Sequence, residues 1–543
     1  MELLKLFWKK KEADRPASIG DSEGKTYEVA EIELVSSIEI GKELAARGMH
    51  AEALRQFELS LRVSPESVLA YRHAAQQALL LGDFYTARDY LLLALHYAPS
   101  DVQSACLLVQ SHIDDKNYSK GRKLALQYLD VHRDNAELLF EAARCEYFDG
   151  NFDLARTWLS KLLNLYPEQP FALNLLGLIT AREYGDLDAG EHLIRRALIT
   201  APGFSSAWSN LGWIASERGQ IEEALLIFDR VLGNDGGDSE TRLMRAYANL
   251  KHGYFSAGWG DFWSRHASPL ALSPKHSFPG LPAEKSPEGL SLLVYEEQGL
   301  GDQIMFSSCI PDLVASGALV TIQCDNQLKA LFSRSFLNCR VIATHETVPD
   351  DIDYQLAIGS LPAMFRNRPE DFPVHKGFLR VDSERVAHWR NKLQSLGPGP
   401  YVGISWRGGV KATRQQLRSI PLVDWAPVLA GAGQFVSLQY GDSSEVERVG
   451  RSNLYHWPEA IENYDDTAAL VFALDMVVSV CTAVVHLAGA LGKQVYVLTP
   501  SQPEWRYLYQ GEKMPWYPSV RLIRQGHNES WDAVMGRLVH CMR

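Results

Sequence analysis

The sequence predicts a multidomain protein in which an all-α array of helical repeats precedes an α/β region with two doubly wound lobes. The first observation is a 34-residue periodicity before residue 267. The second is a series of short apolar runs after residue 289, separated by helix-length segments. The third is a proline-rich stretch between these two regions. Repeats of this length are typical of stacked helix pairs, and short apolar runs that alternate with helices are typical of parallel sheets.

The periodicity is visible in two columns of mostly small residues. A glycine at a turn frees the backbone, and a small residue inside a helix lets a second helix approach closely. The predicted close-contact column is Ala53, Ala87, Gly121, Ala155, Ala189, Ala224 and Gly258. The predicted turn column is Gly48, Gly82, Lys116, Gly150, Tyr184, Gly219 and Gly253. Together they predict about seven helix pairs over residues 31–266.

The unit from Trp208 to Val231 resembles the tetratricopeptide repeat. Such repeats stack into a superhelix with a concave surface suited to a peptide or protein. The resemblance therefore implies that the array holds a protein partner.

Charge and cysteine content limit the function classes. The 543 residues carry a formal charge of −12, which argues against a general nucleic-acid binder because no basic excess is available to neutralise phosphates. The seven cysteines are scattered and odd in number, so neither a disulfide framework nor a zinc site is indicated. These features predict a soluble cytoplasmic protein.

Two segments flank the predicted array. Residues 1–30 are expected to be a flexible tail, and the apolar residues and lysines of 1–11 leave a weak peripheral membrane contact as the alternative. No run reaches the ~18 apolar residues that a membrane span needs. Residues 267–289 contain five prolines and are expected to form a connector.

Seven apolar runs predict strands in two sets. These sets define a first lobe, 290–395, and a second lobe, 396–543. Runs at 290–295, 319–323 and 354–358 belong to the first lobe, and runs at 401–405, 435–439, 477–481 and 494–498 belong to the second. Ligands of such folds bind outside the carboxyl ends of the strands, so the residues directly after these runs are the candidate site.

Three strand-end motifs stand where that rule expects a ligand. The turn Gln298-Gly-Leu-Gly-Asp302 follows the first strand, but Ile304 replaces the third glycine of a dinucleotide fingerprint, so no dehydrogenase is supported. Gly403-Ile-Ser-Trp-Arg-Gly-Gly409 places a cation and glycines after a strand, which suits a phosphate. Thr482 precedes the apolar segment 483–492, and such a helix start binds an anion without a metal.

The ordered motifs of residues 240–543 resemble the GT-B glycosyltransferases related to lipopolysaccharide heptosyltransferases, a family 9-like group. The closest likeness is to bacterial forms with an amino-terminal tetratricopeptide array, and the layout is similar to that of protein O-GlcNAc transferases. The matching segments are Gln298–Asp302, Gly403–Trp406, Ser437–Tyr440, Thr482–Gly489 and Trp505-Arg506. The resemblance implies a GT-B fold of two Rossmann-like lobes, a nucleotide-sugar donor, and no cofactor or metal.

The resemblance also implies roles for individual residues. Asp302 is the expected general base that deprotonates the acceptor hydroxyl. The acceptor side of the cleft is expected at Gln298, Gly299 and Gly301. The donor and its diphosphate are expected at Arg407, Gly408, Gln439, Tyr440, Cys481, Thr482, Ala483 and His486.

Several readings stay open at this level. Cys481 stands where the family usually has an aspartate, so a packing cysteine and an altered donor site are both considered. His486 is either an acid or base, or a structural imidazole, and Asp465-Asp466 favours a helix cap over a metal pair. The leading function is transfer of a sugar to a protein hydroxyl. The alternatives are a catalytically impaired interaction scaffold and a saccharide- or lipid-directed transferase.

Overall fold

The computed structural model describes residues 37–266, 276–409, 414–441 and 444–542. The predicted tail with its membrane-contact segment, and residues 267–275 of the predicted connector, lie outside this description. None of the helices within the described ranges is long and apolar enough to cross a membrane.

The described chain begins with a succession of antiparallel helices. They are α1 (37–46), α2 (His50–Val63), α3 (Val68–Leu80), α4 (Phe84–Tyr97), α5 (Val102–Asp114), α6 (Tyr118–Leu129), α7 (Ala136–Phe148), α8 (Phe152–Leu165), α9 (Pro170–Glu183), α10 (Leu187–Thr200), α11 (Ser205–Glu217), α12 (Ile221–Asn234), α13 (Ser239–Lys251) and α14 (Phe255–Phe262). The predicted all-α repeat region is confirmed.

The turns of the helix pairs confirm the repeat and correct it at one unit. A residue with positive φ stands at each of Gly48, Gly82, Lys116, Gly150, Gly185, Gly219 and Gly253. The fifth turn residue is therefore Gly185, where Tyr184 was predicted. The close-contact residue shifts in the same way, since Gly190 is buried and an added Cβ there would lie 2.6 Å from Ala181 Cβ, whereas Ala189 is exposed. This unit is one residue longer than the 34-residue repeat. The extra residue lies before the turn, whereas the prediction placed it after the turn.

By compactness the chain divides into two units, Met1–Leu165 and Tyr166–Arg543. The division falls inside the repeat region and not at the connector. The second unit holds α9–α14 together with all the strands. The predicted limits of the array, the connector and the two lobes as separate domains stay a prediction.

Four parallel strands form the first sheet, in the order β3-β2-β1-β4. They are β1 (Ser291–Tyr295), β2 (Leu319–Cys324), β3 (Arg340–Ala343) and β4 (Tyr354–Ala357). The accompanying helices are α15 (Leu300–Phe306), α16 (Ile310–Ala315), α17 (Lys329–Ser335), α18 (Leu361–Phe365) and α19 (Ser383–Gln394). The three predicted strands lie where the apolar runs placed them, and β3 was not predicted.

The second sheet has the order β10-β11-β9-β8-β5-β6-β7, and among its described strands only β10 is antiparallel to its neighbour. Its strands are β5 (Tyr401–Ser405), β6 (Gln434–Ser437), β7 (Leu454–Tyr455), β8 (Met476–Val480), β9 (Gln494–Thr499), β10 (Lys513–Met514) and β11 (Tyr517–Arg524). The helices are α20 (Ala426–Leu429), α21 (Ser444–Val449), α22 (Pro458–Glu462), α23 (Tyr464–Ala473), α24 (Ala483–Ala490) and α25 (Trp531–Met542). Strand order reverses between β5 and β8, where such sheets bind their ligands.

An aromatic cluster joins the last repeat helix to both sheets. The Trp259 indole N–H donates to the Arg366 carbonyl (2.8 Å), and its ring meets Trp505 edge-on at 5.6 Å. Trp516 packs against Phe306 at 5.9 Å, and Tyr517 is fully buried. Trp505, Trp516 and Tyr517 are all buried in this packing. The core of the second unit is therefore continuous from α14 into the α/β region.

Candidate functional site

Two adjacent cavities lie at the carboxyl ends of β5, β6 and β8. The first, of about 420 Å³, is lined by Ser405, Arg407, Gly409, Gln415, Gln439, Tyr440, Thr482, Ala483 and Val484. The second, of about 430 Å³, is lined by Arg182, Tyr247, Gly299, Leu300, Gly301, Asp302, Gly409, Arg414, Arg418, Cys481, Thr482, Ala483, His486, Glu504, Trp505, Arg506 and Tyr507. We call them the Arg407 cavity and the Asp302 cavity. They meet at the three residues that both share.

The shared wall is the start of helix α24. Thr482 is its N-cap, and the Thr482 hydroxyl accepts a hydrogen bond from the Val484 N–H at 3.2 Å. The first N–H groups of a helix have no intrahelical acceptor, and the helix dipole adds positive potential at this end. Because Thr482 and Ala483 line both cavities, this end can hold an anion between them.

Gln439 holds the end of β5 against the end of β6. Its side-chain oxygen accepts from the backbone N–H of Arg407 (2.8 Å) and of Trp406 (3.1 Å). Its amide nitrogen donates to the Arg407 carbonyl at 3.3 Å. Gln439 lines the Arg407 cavity, but its polar atoms position the loop after β5.

Arg407 and Tyr440 form the outer wall of the Arg407 cavity. The Arg407 Nε lies 3.3 Å from Glu445 Oε2, and the same carboxylate accepts from the Trp406 indole at 2.7 Å. The Tyr440 ring is 37% exposed and stacks on Tyr464 at 6.5 Å. The cavity thus combines a cation with an accessible aromatic face, which suits a phosphorylated aromatic ligand.

Gly408 is a close-packing residue and lines neither cavity. An added Cβ would lie 2.6 Å from the Cys481 carbonyl oxygen. Only a glycine lets the loop after β5 approach the end of β8 this closely.

Asp302 lies in the first turn of α15 and pairs with Arg506, which follows β9. The Arg506 Nε donates to Asp302 Oδ1 at 2.7 Å, and its Nη2 donates to the same oxygen. No donor within the described residues bonds to Asp302 Oδ2. Burial by itself lowers the pKa of Arg506, but the carboxylates of Asp302 and Glu504 raise it above its usual value. The pair therefore leaves one carboxylate oxygen available to a ligand.

The predicted acceptor loop lies partly at the Asp302 cavity. Gly299 and Gly301 line it, whereas Gln298 is exposed, has φ +62° and lines neither cavity. A Cβ on Gly301 would lie 3.1 Å from His486 Cδ2 and 3.3 Å from Ala483 Cα. The absence of a side chain lets α15 and α24 meet at this point.

His486 and Cys481 are neutral wall residues. Burial, and secondly the Arg506 charge, lowers the pKa of His486 to about 3, and its Nδ1 lies 3.3 Å from the Tyr517 hydroxyl. Burial raises the pKa of the Cys481 thiol to about 12. At neutral pH neither is charged, which favours the structural imidazole and the packing cysteine among the alternatives considered.

Several charged residues of the Asp302 cavity were missed by sequence reasoning. Burial by itself raises the pKa of Glu504, but surrounding guanidinium groups lower it below the usual value. These groups belong to Arg414, Arg506, Arg418 and Arg182. Arg506 was noticed only as part of a motif. Arg182 and Tyr247 belong to repeat helices α9 and α13, and no local pattern marks them as site residues.

The Asp465-Asp466 pair is a structural feature of helix α23. Asn463 caps this helix by accepting from the Asp465 N–H at 2.9 Å. Asp465 pairs with Arg334 at 2.7 Å, and Asp466 pairs with Arg385. Among the described residues no group of three or more His, Cys, Asp or Glu is placed to hold a metal ion.

Comparison with known proteins supports the repeat region and a family. A model of the tetratricopeptide repeat matches residues 106–170 and 179–239. Over 415 residues the chain is 33% identical to Protein FlbA of Caulobacter vibrioides, and the match covers 71% of this chain and 69% of that protein. The chain belongs to the FlbA family. Because the match is longer than the 230 described residues of the repeat region, 37–266, this relationship extends beyond the repeats.

Two similar solved structures each cover part of the chain. MamA residues 41 to the end from Desulfovibrio magneticus RS-1 is 16% identical and covers 32% of this chain and 97% of its own, with a TM-score of 0.27. A tetratricopeptide repeat protein from Parabacteroides merdae is 14% identical and covers 43% of this chain and 93% of its own, with a TM-score of 0.35.

Proposed function

We propose that this protein is a glycosyltransferase of the GT-B type. It transfers a sugar from a nucleotide diphosphate donor to a hydroxyl of a protein that the repeats hold. The observation that carries the proposal is the pair of cavities that meet at the start of α24. A cationic cavity, an anion-binding helix start and a carboxylate are the three parts that metal-independent sugar transfer needs.

The Arg407 cavity is the donor side of this proposal. The nucleobase stacks on the Tyr440 ring, and the diphosphate lies between Arg407 and the N–H groups at the start of α24. Gln439 holds the backbone that approaches the phosphates. Binding of a diphosphate has to replace part of the Glu445 contact of Arg407, which a doubly charged group can do.

The Asp302 cavity is the acceptor side. Asp302 Oδ2 takes the proton of the attacking hydroxyl while Arg506 holds Oδ1, so the carboxylate keeps its orientation during the reaction. The attacking oxygen forms the new bond to the anomeric carbon, and the bond from that carbon to the diphosphate breaks. The leaving diphosphate takes the electron pair and stays at the positive start of α24.

Calorimetry with UDP, GDP, TDP and ADP in the presence of EDTA tests the donor side. We expect one of these nucleotides to bind with metal removed, and Arg407→Ala to weaken that binding by about 1.5–3 kcal/mol, the value of one charge-assisted hydrogen bond. The matched control is Arg340→Ala, an exposed arginine of the first sheet outside both cavities. Binding that requires a divalent metal, or that is the same in Arg407→Ala, contradicts the proposal.

The second candidate function is an interaction scaffold without catalytic activity. Cys481 favours it, and so do the ion pairs Arg407–Glu445 and Asp302–Arg506. Arg407 is held by Glu445 and Asp302 by Arg506, so both groups have protein partners. The two functions differ in one measurement. A scaffold releases no nucleotide from any of the four classes of sugar donor, whereas a transferase releases it and labels a protein.

A further inference from the structure

The turn edge of three successive repeat units contacts the segment that follows β9. The Gln502 side chain donates to the Gly185 carbonyl at 3.1 Å. The Tyr509 ring stacks on His252 at 4.8 Å, and its backbone N–H donates to the Lys251 carbonyl at 2.7 Å. At Gly219 an added Cβ would lie 2.5 Å from the Tyr509 hydroxyl oxygen. The repeats are therefore fixed against residues 502–509.

This contact places two repeat side chains in the wall of the Asp302 cavity. Arg182 stands near the end of α9, three residues before Gly185, and Tyr247 stands one helical turn before Lys251. Tyr247 packs edge-on against Phe262 at 6.0 Å. Neither residue lines the Arg407 cavity. They are thus confined to the side of the site that holds the carboxylate.

Tyr247 stands close to the point of reaction and is still accessible. The pKa of its hydroxyl is raised, first by burial, and Glu504 and Asp302 raise it further while Arg506 opposes them. Tyr247 and the Asp302–Arg506 pair line the same cavity. The residue nevertheless keeps 36% of its surface exposed. A tyrosine of this kind offers an apolar face and a hydrogen-bonding group to a partner at low entropic cost.

We infer that Tyr247 contacts the acceptor polypeptide beside the hydroxyl that receives the sugar, and that Arg182 borders the same path. The inference rests on the proposed function. A general base must lie within hydrogen-bond reach of the hydroxyl that it deprotonates, so whatever surrounds Asp302 on its repeat side faces the acceptor. Because Arg182 and Tyr247 contribute to the wall of the Asp302 cavity, a polypeptide that the repeats present to Asp302 meets them there. The late repeats thus form part of the active site, in addition to any binding surface that the earlier repeats supply.

The test compares Tyr247→Ala and Arg182→Gln with two controls outside the cavities. Tyr254→Ala removes a tyrosine that is 47% exposed, and Arg195→Gln alters an arginine whose side chain is 57% exposed. Each full-length variant receives radiolabelled UDP-, GDP-, TDP- or ADP-linked sugar and the protein that wild type labels. Two rates are measured, which are nucleotide release without acceptor and transfer to the acceptor at several acceptor concentrations.

The expected result is a selective effect on the acceptor. Tyr247→Ala raises the acceptor KM about tenfold, which is typical for loss of an aromatic anchor, and changes nucleotide release by less than about threefold. Arg182→Gln acts in the same direction. Its side chain is 41% exposed, so this variant decides the question if Tyr247→Ala does not fold. The two controls match wild type in both rates.

Three results overturn the inference. An unchanged acceptor KM in both variants shows that the acceptor does not touch this wall. Equal loss of nucleotide release and transfer shows that Tyr247 acts on the donor or on the fold. If wild type transfers no sugar from any donor, the proposed function fails and this inference fails with it. If wild type transfers sugar and Asp302→Asn does not, an unchanged acceptor KM in both Tyr247→Ala and Arg182→Gln refutes this inference and leaves the proposed function standing.

Discussion

Replacement of Asp302 by asparagine is the most direct test of the proposed chemistry. In the structure Asp302 uses Oδ1 for both bonds from Arg506. Asparagine can keep its carbonyl oxygen toward Arg506 and place its NH₂ group where Oδ2 stands. The substitution therefore preserves the shape and the oxygen that Arg506 contacts, and it removes the negative charge and the oxygen that can accept a proton from the acceptor.

The expected loss follows from the role assigned to that oxygen. Loss of a positioned general base lowers the rate of the chemical step by roughly 10²–10⁴, which corresponds to about 2.7–5.4 kcal/mol of barrier. Donor affinity changes little, because Asp302 does not line the Arg407 cavity. The loss of charge in the pair with Arg506 costs on the order of 1 kcal/mol of stability, since a hydrogen bond remains.

Single-turnover transfer, calorimetry of the donor and thermal unfolding measure these three effects separately. Arg506→Lys is the companion variant, since it keeps the positive charge and loses the fork geometry. We expect it to lower transfer less than Asp302→Asn does, because Oδ2 remains. Wild-type turnover in Asp302→Asn refutes the reasoning and shows that Asp302 serves to anchor Arg506 and to start helix α15.

Three further outcomes are expected. Gly219→Ala and Gly253→Ala both place alanine at positive φ, which costs about 1–2 kcal/mol. Because the added Cβ meets Tyr509 at Gly219 and meets nothing at Gly253, thermal unfolding should show Gly219→Ala to be more destabilised by ~1–3 kcal/mol. Equal destabilisation by the two variants, or a double variant Gly219→Ala/Tyr509→Ala that recovers no stability, contradicts the contact between the repeats and Tyr509. The pKa of His486 is lowered to about 3 in the folded protein, so the unfolded chain binds the extra proton, and stability present above pH 6.5 is lost as pH falls toward 3. Between pH 7 and 4.5 the free energy of unfolding of wild type, measured in urea, should fall by about 2.5 kcal/mol more than that of His486→Gln. Curves of unfolding free energy against pH that run parallel for the two proteins contradict this. Gln439→Ala removes the oxygen that accepts from the Trp406 and Arg407 N–H groups and should weaken nucleotide binding by about 1–3 kcal/mol. Gln439→Glu keeps an accepting oxygen and should weaken binding less. If calorimetry finds the same loss of binding free energy in both variants, Gln439 contacts the ligand directly.

The elements that the sequence predicted best are those with a local pattern. The turn column predicted six of the seven positive-φ positions, because a helix pair needs a flexible residue at a fixed distance from its close contact. It failed at Tyr184, since an inserted residue moves the turn to Gly185 and one column cannot tell on which side of the turn the insertion lies. The buried strands were also predicted from a local pattern, because each of them is a continuous apolar segment.

Strands without that signature were missed. β11 pairs with β9, but it contains Pro518 and Arg521, so no continuous apolar run marks it. β7 has only two residues, so no run is visible. Their identity as strands depends on the neighbour that each one pairs with, and that is a property of the whole sheet.

The sequence by itself determined that helical repeats precede an α/β region, and which residues stand at the strand ends, because periodicity and burial are written in neighbouring positions. Only the tertiary structure decided how those residues are paired. Asp302 meets Arg506 across 204 positions, and Gln502 meets Gly185 across 317. Glu445 holds Arg407, and Tyr247 and Arg182 of the repeat helices line a cavity whose other lining residues belong to the α/β region. Charges and side chains that are far apart in sequence become partners only when the chain is packed, so local patterns carry no record of these contacts.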